Sequence, residues 1–179
     1  MRYGPRLART VRYHRPHMRH AGFSWIELVL VLAVIAILGA MAIPGMQDTA
    51  LKRQVREGLE LADVARKGVQ AFWALSGEMP RDNEEAGLPA KDKIVGTVVK
   101  EVEVDRGAIH LTFGNNASKA LNGLKVTLRP AVVKDEPRVP IAWLCHQVPV
   151  PGKMEVKGRD LTDIPPKWLP VECRVREPS

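Results

Sequence analysis

One apolar segment near the N-terminus constrains this chain more than any other feature. The sixteen residues from Leu28 to Ile43 carry no charged or strongly polar side chain, yet a carboxylate, Glu27, directly precedes them. As an α-helix, the 21 residues from Phe23 to Ile43 have about the length that crosses a hydrocarbon core of ~30 Å. A carboxylate in the middle of such a span costs about 3 kcal/mol, and less near the headgroups, so the position of Glu27 requires an explanation.

The basic character of the chain lies mostly before this segment. The 179 residues carry a formal net charge of +7, but residues 1–22 contribute six arginines and three histidines without an acidic residue. The remaining 21 basic and 20 acidic residues leave a net charge of +1. The length and the 45% apolar content fit one packed domain, and basic residues before an apolar helix favour a cytoplasmic N-terminus.

Two general interpretations of the N-terminal region follow from this pattern. It can be a secretory signal peptide, because Ala40-Met41-Ala42 forms a signal-peptidase pattern, and cleavage after Ala42 would release a soluble periplasmic protein. It can equally be a simple membrane anchor. Neither interpretation accounts for Glu27.

The stretch GFSWIEL, which begins at Gly22, supports a more specific interpretation. It resembles the processing site of type IV pilins and related pseudopilins, although Ser24 and Trp25 replace the commoner threonine and leucine. The resemblance implies that a prepilin peptidase cuts after Gly22 on the cytoplasmic side and then methylates the new N-terminal amine of Phe23. It also implies that Glu27 is the glutamate required for assembly.

The predicted cleavage gives Glu27 a chemical role. It would create an ammonium group on Phe23, which the carboxylate of Glu27 could meet in its own chain or in a neighbouring one. In apolar surroundings an unpaired charge is costly, so such a pair would set the register in which subunits dock. The leader, residues 1–22, is long for this kind of pilin. Translation from Met18 would leave residues 1–17 outside the protein, and a genuine long leader is the alternative.

A helical pattern continues beyond the apolar segment. Apolar residues recur every three or four positions between Leu51 and Trp73, which is one face of an amphipathic helix. We therefore predict one long helix over about residues 24–75, apolar all round in its first half and buried along one stripe in its second.

Pro44 and Gly45 interrupt the middle of this predicted helix. Proline removes one backbone hydrogen bond and clashes with the preceding turn, so a helix break or kink is predicted there, as the pilin resemblance also implies. The alternative is that a membrane helix ends at Pro44 and a second helix begins near Asp48 or Thr49, which are both good N-terminal caps.

The second half of the chain predicts an antiparallel sheet. Asp105-Arg106-Gly107 is typical of a hairpin turn, and short polar loops separate the other segments. A sheet of about four strands would cover the amphipathic part of the helix, an α+β arrangement that the resemblance also implies. The predicted strands, rich in valine, isoleucine and threonine, span residues 94–104, 108–113, 124–133 and 139–145.

Cys145 and Cys173 are the only cysteines, and they follow the membrane-length segment, so an oxidising compartment is expected. A disulfide between them would close a loop of about 28 residues and stabilise the fold by about 3 kcal/mol. Two free buried thiols are the alternative. The flanking sequence resembles the disulfide-bounded C-terminal region of type IVa pilins, which most pseudopilins of type II secretion lack.

No residue pattern predicts catalysis. We find no nucleophile with a matching base, no set of residues with metal-ligand spacing and no cofactor motif, so the protein is expected not to be an enzyme. Asn116-Ala117-Ser118 fits a glycosylation sequon. Nucleic-acid binding is possible but has no aromatic pattern to support it, and a solvated basic surface is the simpler interpretation. The basic residues concerned are Lys153, Lys157, Arg159, Lys167, Arg174 and Arg176.

The sequence therefore predicts a type IV prepilin in which a long N-terminal helix packs on a roughly four-stranded antiparallel sheet with a C-terminal disulfide-bounded loop. Residues 1–22 would be the cleaved leader. Residues 23–46 would be both membrane anchor and filament core. Residues 47–179 would be the globular domain, including the 145–173 loop. A minor pilin, a secretion pseudopilin and a soluble periplasmic protein are the alternatives.

The resemblance also implies partners and a location. The protein would pass once through the inner membrane, with its N-terminus in the cytoplasm, and then enter an extracellular helical filament of identical subunits. Its partners would be the prepilin peptidase and methyltransferase and the inner-membrane assembly machinery. The filament would support adhesion, twitching motility or DNA uptake.

Overall fold

The computed structural model describes residues 23–174, apart from the side chains of residues 41–46. Three parts of the predicted features lie outside this description: the leader with Gly22, the side chains of Pro44 and Gly45, and Arg176. The chain divides into two units, Met1–Met41 and Ala42–Ser179, which we describe separately.

Two helices in succession account for the predicted long helix. Helix α1 spans Trp25–Leu61 and helix α2 spans Asp63–Ser76. Between them Ala62 keeps a helical backbone, with φ −62° and ψ −14°, so the interruption is slight. Gly77, with φ 70°, ends α2 by donating its N–H to the carbonyl of Trp73 at 2.9 Å.

Helix α1 is continuous through Pro44 and Gly45. The alternative in which a second helix begins near Asp48 or Thr49 is therefore wrong. A kink at Pro44 stays a prediction. Within the described residues, no helix combines the length and the apolar character needed to cross a membrane.

The sheet is an antiparallel meander, as predicted. Its strands are β1 Val99–Asp105, β2 Ala108–Phe113, β3 Lys125–Val132, β4 Ala142–Cys145 and the short β5 Glu155–Val156. The order is β1-β2-β3-β4, and β5 pairs with β3 beside the end of β2. At the β1–β2 hairpin, Arg106 (φ 49°) and Gly107 (φ 81°) adopt the left-handed conformations that a two-residue turn needs, which confirms the predicted hairpin.

The prediction that residues 94–98 are part of the first strand is wrong. The backbone turns there, because the N–H of Gly96 donates to the carbonyl of Val99 at 2.9 Å. The side-chain amide of Asn115 donates to the carbonyls of both residues, at 3.0 and 2.9 Å. Side-chain bonds thus satisfy backbone groups that a strand would pair in a ladder. Likewise, residues 139–141 precede β4 and are not part of it.

The main core lies between the helices and one face of the sheet. At Gly58 in α1, an added Cβ would lie 2.8 Å from the ring of Phe113, so the absence of a side chain lets helix and sheet approach closely. The predicted helix stripe is buried except for Leu59 and Phe72, which are half-buried. Its buried members are Leu51, Val55, Ala62, Ala65, Val69 and Trp73.

The other face of the sheet is polar but also covered. His110 on β2 is 1% exposed, and its Nδ1 lies 2.9 Å from Oγ1 of Thr127 on β3. The same hydroxyl oxygen accepts the N–H of Leu161 at 3.0 Å, and the N–H of Thr127 donates to Oγ1 of Thr162 at 3.0 Å. A segment of the 145–173 loop therefore closes over this face by hydrogen bonds.

Candidate functional site

The first candidate site is the surface of residues 23–40, which comprise the start of α1 and the two residues before it. We call it the apolar helix surface. Every one of these residues is exposed, from Phe23 at 81% to the aliphatic side chains on all sides of the helix. A helix that is apolar all round normally lies buried in protein or lipid. A large exposed apolar surface on a folded chain marks a site of interaction, so the apolar helix surface is a binding surface that needs a partner.

Glu27 is the one charged residue of this surface. It lies in the first turn of α1, where the partial positive charge of the helix N-terminus favours a carboxylate. Along the part of the chain that the structure describes, no cation forms an ion pair with Glu27. Phe23 precedes the first helical residue and lies four positions before Glu27, about one helical turn.

The second candidate site is the loop between Cys145 and Cys173. The two cysteines form the predicted disulfide, with their Cα atoms 4.9 Å apart and a separation of 28 positions in sequence. Cys145 ends β4, and Cys173 ends a short 3-10 helix, Val171–Cys173. Both are buried, which confirms the disulfide and rules out two free thiols.

A contact that the sequence did not reveal fixes this loop to α1. The indole N–H of Trp168 donates to Oδ1 of Asp48 at 2.8 Å, and the ammonium of Lys167 lies 3.7 Å from the same oxygen. The Trp168 hydrogen bond, with help from nearby lysines, lowers the pKa of the Asp48 carboxyl below its ordinary value. Leu169, the next residue, is fully buried in the core.

Three basic residues of the loop contact acidic or carbonyl groups of the same chain. The ammonium of Lys157 pairs with Glu155 at 2.9 Å, and that of Lys167 lies near Asp48. The guanidinium of Arg174 donates to the carbonyl of Leu169 at 2.8 Å. Lys153 and Arg159 of the same loop are exposed, so some of its basic groups face solvent, and nucleic-acid binding stays an untested alternative.

Across residues 23–174, no group of three or more histidine, cysteine or acidic side chains is placed to hold a metal ion. The apolar helix surface offers side chains for contact with other molecules, and the loop between Cys145 and Cys173 is cross-linked by the disulfide. The arrangement is that of a subunit built to be bound by other protein or lipid surfaces.

Comparison with known proteins agrees with this description. The family model for pilin, a bacterial filament protein, matches residues 52–174, so this chain belongs to the pilin family. It is 35% identical over 159 residues to the type IV major pilin protein PilE of Neisseria gonorrhoeae, covering 86% of this chain and 93% of that protein. It is 31% identical over 162 residues to a fimbrial protein of Neisseria meningitidis serogroup B, with the same coverage of both chains.

A more distant relative extends the range of organisms. The chain is 29% identical over 135 residues to the type IV major fimbrial protein FimA of Dichelobacter nodosus, covering 60% of this chain and 78% of that protein. The pilin resemblance predicted from the sequence is thereby confirmed.

Proposed function

We propose that this protein is a structural subunit of a type IV pilus. The observation that carries the proposal is the apolar helix surface, which is exposed on all sides over residues 23–40 and requires burial by other chains. Membership of the pilin family and the names of the relatives, which are major pilins and fimbrial proteins, support it. The protein has a structural role in assembly and no catalytic one.

The proposal includes processing at Gly22. A prepilin peptidase cuts between Gly22 and Phe23 and methylates the new amine on Phe23. The sequence supports this step, because a glycine at the end of a basic segment is followed directly by the apolar segment and, four residues after Phe23, by Glu27.

Before assembly, the protein resides in the inner membrane with its N-terminus in the cytoplasm. The 21 residues from Phe23 to Ile43 anchor it, and the six arginines before them fix its orientation. The inner-membrane machinery then transfers the subunit into an extracellular fibre, where other copies replace lipid around the apolar helix surface. Such a fibre supports adhesion, twitching motility or DNA uptake. A minor pilin or a type II secretion pseudopilin is the alternative.

The test is the intact mass and N-terminal sequence of the protein in material sheared from the cell surface, measured without reductant. We expect a chain that begins at N-methylated Phe23 and lacks the two hydrogens removed by the disulfide. A chain that begins at Ile43 and occurs only in the periplasm would instead establish a signal peptide and refute the proposal. A variant with Gly22→Leu is the control, since it should remain unprocessed and cell-associated.

A further inference from the structure

A cavity of about 490 Å³ lies where the end of α2 meets the end of β3 and strand β5. It belongs entirely to the unit Ala42–Ser179. Its volume falls within the range of small-molecule sites, about 300–1,000 Å³. We call it the turn cavity, because four residues of its lining have left-handed backbone: Gly77 (φ 70°), Arg106 (φ 49°), Asp135 (φ 59°) and Gly158 (φ 74°). Turns from four separate parts of the chain therefore meet around one space.

The turn cavity is lined by charged side chains of both signs, three basic and three acidic. They are Arg106, Lys134, Lys157, Glu78, Asp135 and Glu155. Lys157 and Glu155 form an ion pair at 2.9 Å, and Nε of Arg106 lies 3.9 Å from a carboxylate oxygen of Asp105. The other three charged groups form no ion pair within residues 23–174. The lining is therefore neutral overall, and charges of both signs are available to a ligand.

The rest of the cavity lining includes large apolar side chains. Trp73 is 6% exposed and Val132 is 1% exposed, and Met79 packs against the same core. The indole Nε1 of Trp73 is buried and has no hydrogen-bond partner among the described residues. Buried donors are normally satisfied, so an unsatisfied donor on a residue that lines a cavity calls for an acceptor from outside the chain. Apolar lining with a few polar groups is the usual composition of a small-molecule site.

We propose that the turn cavity binds a small zwitterion, an amino acid with an apolar side chain. The ligand's carboxylate binds Lys134 and Arg106 and supplies the acceptor that Trp73 lacks. Its ammonium group binds Glu78 and Asp135, and its side chain packs on the apolar lining. A ligand with only one charge would meet groups of its own sign in the same lining, whereas a zwitterion complements both. The inference does not rest on the proposed function, because the cavity lies within the globular unit and needs no second copy.

Matched ligands test the charge requirement. Titration calorimetry of the detergent-dispersed protein with L-leucine should show saturable binding to one site. N-acetyl-L-leucine lacks the ammonium charge and L-leucinamide lacks the carboxylate, so each should bind at least about tenfold more weakly, since hydrogen bonds to a charged group are lost. If L-leucine does not bind at millimolar concentrations, or if either derivative binds as well as L-leucine, the proposal fails.

Charge-removing variants locate the binding site. Lys134→Met keeps the apolar stem of the side chain, and Asp135→Asn keeps a residue type that tolerates the left-handed backbone, so both should fold. Each should weaken L-leucine binding at least about tenfold. Lys119→Met is the control, because Lys119 is an exposed lysine in a turn outside the cavity lining. Equal binding by all three variants would mean that L-leucine binds elsewhere, and the proposal would be wrong.

Tryptophan fluorescence identifies the occupant of the cavity. L-leucine should change the emission of the unmodified protein and of Trp143→Phe, but not that of Trp73→Phe, which keeps a ring and lacks the N–H. D-glucose is the neutral comparison ligand. A change with D-glucose and none with L-leucine would mean that the cavity takes a polyol, which would overturn the proposal. L-leucine binding by a protein that forms no filaments would refute the proposed function and leave this inference standing.

Discussion

At the scale of single residues, the carboxylate of Glu27 places the strongest restriction on how the N-terminal helix can pack. Its carboxylate is the only charge in an otherwise apolar stretch of residues 23–40. In the proposed filament core or membrane, a carboxylate without a partner is strongly disfavoured, and the ammonium of a processed Phe23 would offset part of that cost. Under the proposed function, the cost of an unpaired Glu27 would favour packing arrangements that bring the two groups together.

We expect Glu27→Gln to be cleaved after Gly22 but to assemble poorly. The substitution keeps size and polarity while removing the charge that pairs with the ammonium. The fraction of processed chain in the membrane should rise while the sheared fraction falls by tenfold or more, which corresponds to a loss of about 1.4 kcal/mol. Glu57→Gln is the control, because Glu57 lies on the same helix outside this surface. Normal filament yield from Glu27→Gln would contradict the role.

At the scale of secondary-structure elements, most of the architecture was predictable from residue patterns. Helical periodicity identified the helix stripe, turn residues identified the hairpin at Arg106-Gly107, and a high content of valine, isoleucine and threonine identified the four strands. The remaining features depend on contacts between distant residues. Trp168 and Asp48 are 120 positions apart, so no local pattern indicates their hydrogen bond. Strand β5 is only two residues long and carries no periodic signal.

The loop that covers the polar face of the sheet makes the fold sensitive to pH through His110. Burial lowers the pKa of this imidazole below its ordinary value of 6.5. The positive charge of Lys125 lowers this pKa further. Three carboxylates raise it, those of Asp105, Glu103 and Asp160, but burial has the larger effect. His110 therefore binds a proton more readily in the unfolded chain than in the folded one. The contribution of neutral, buried His110 to the free energy of unfolding is fully present only above about pH 6.5.

We expect the free energy of unfolding to fall as the pH drops below about 6.5, because unfolding then releases His110 to bind a proton. His110→Gln should flatten this part of the profile, since glutamine does not titrate. Thermal unfolding midpoints of detergent-dispersed subunits between pH 5 and pH 8 measure the effect. His146→Gln serves as the comparison. Parallel profiles for His110→Gln and the unmodified protein would show that burial of His110 has no such consequence.

At the scale of the whole molecule, the disulfide joins the last part of the chain to the end of β4. Residues 146–172 contain little regular secondary structure, yet Ile164 and Leu169 are buried in the core. The disulfide joins the two ends of this segment, and hydrogen bonds to Thr127 and Asp48 hold it between them. The cysteine count predicted this bond, but the way in which the loop closes over His110 and Thr127 could not be read from the sequence.

Replacing both cysteines by serine should lower the free energy of unfolding by about 3 kcal/mol, because the 28-residue loop regains its freedom in the unfolded chain. Proteolysis should then cut first within residues 146–172. Adding reductant to the unmodified protein should reproduce both effects and should not change the double variant further. An unchanged melting midpoint would mean that the hydrogen bonds alone hold the loop.

The same bond has a mechanical consequence. A pulling force that enters through Cys173 passes directly to Cys145 and on to β4, so the residues between them carry no tension. Were the bond absent, the 28-residue loop, including β5, could be drawn out by about 90–100 Å before β4 was loaded. With the disulfide in place, the loop cannot be extended by a force on Cys173. The load passes to β4, where the hydrogen bonds between β3 and β4 resist it together.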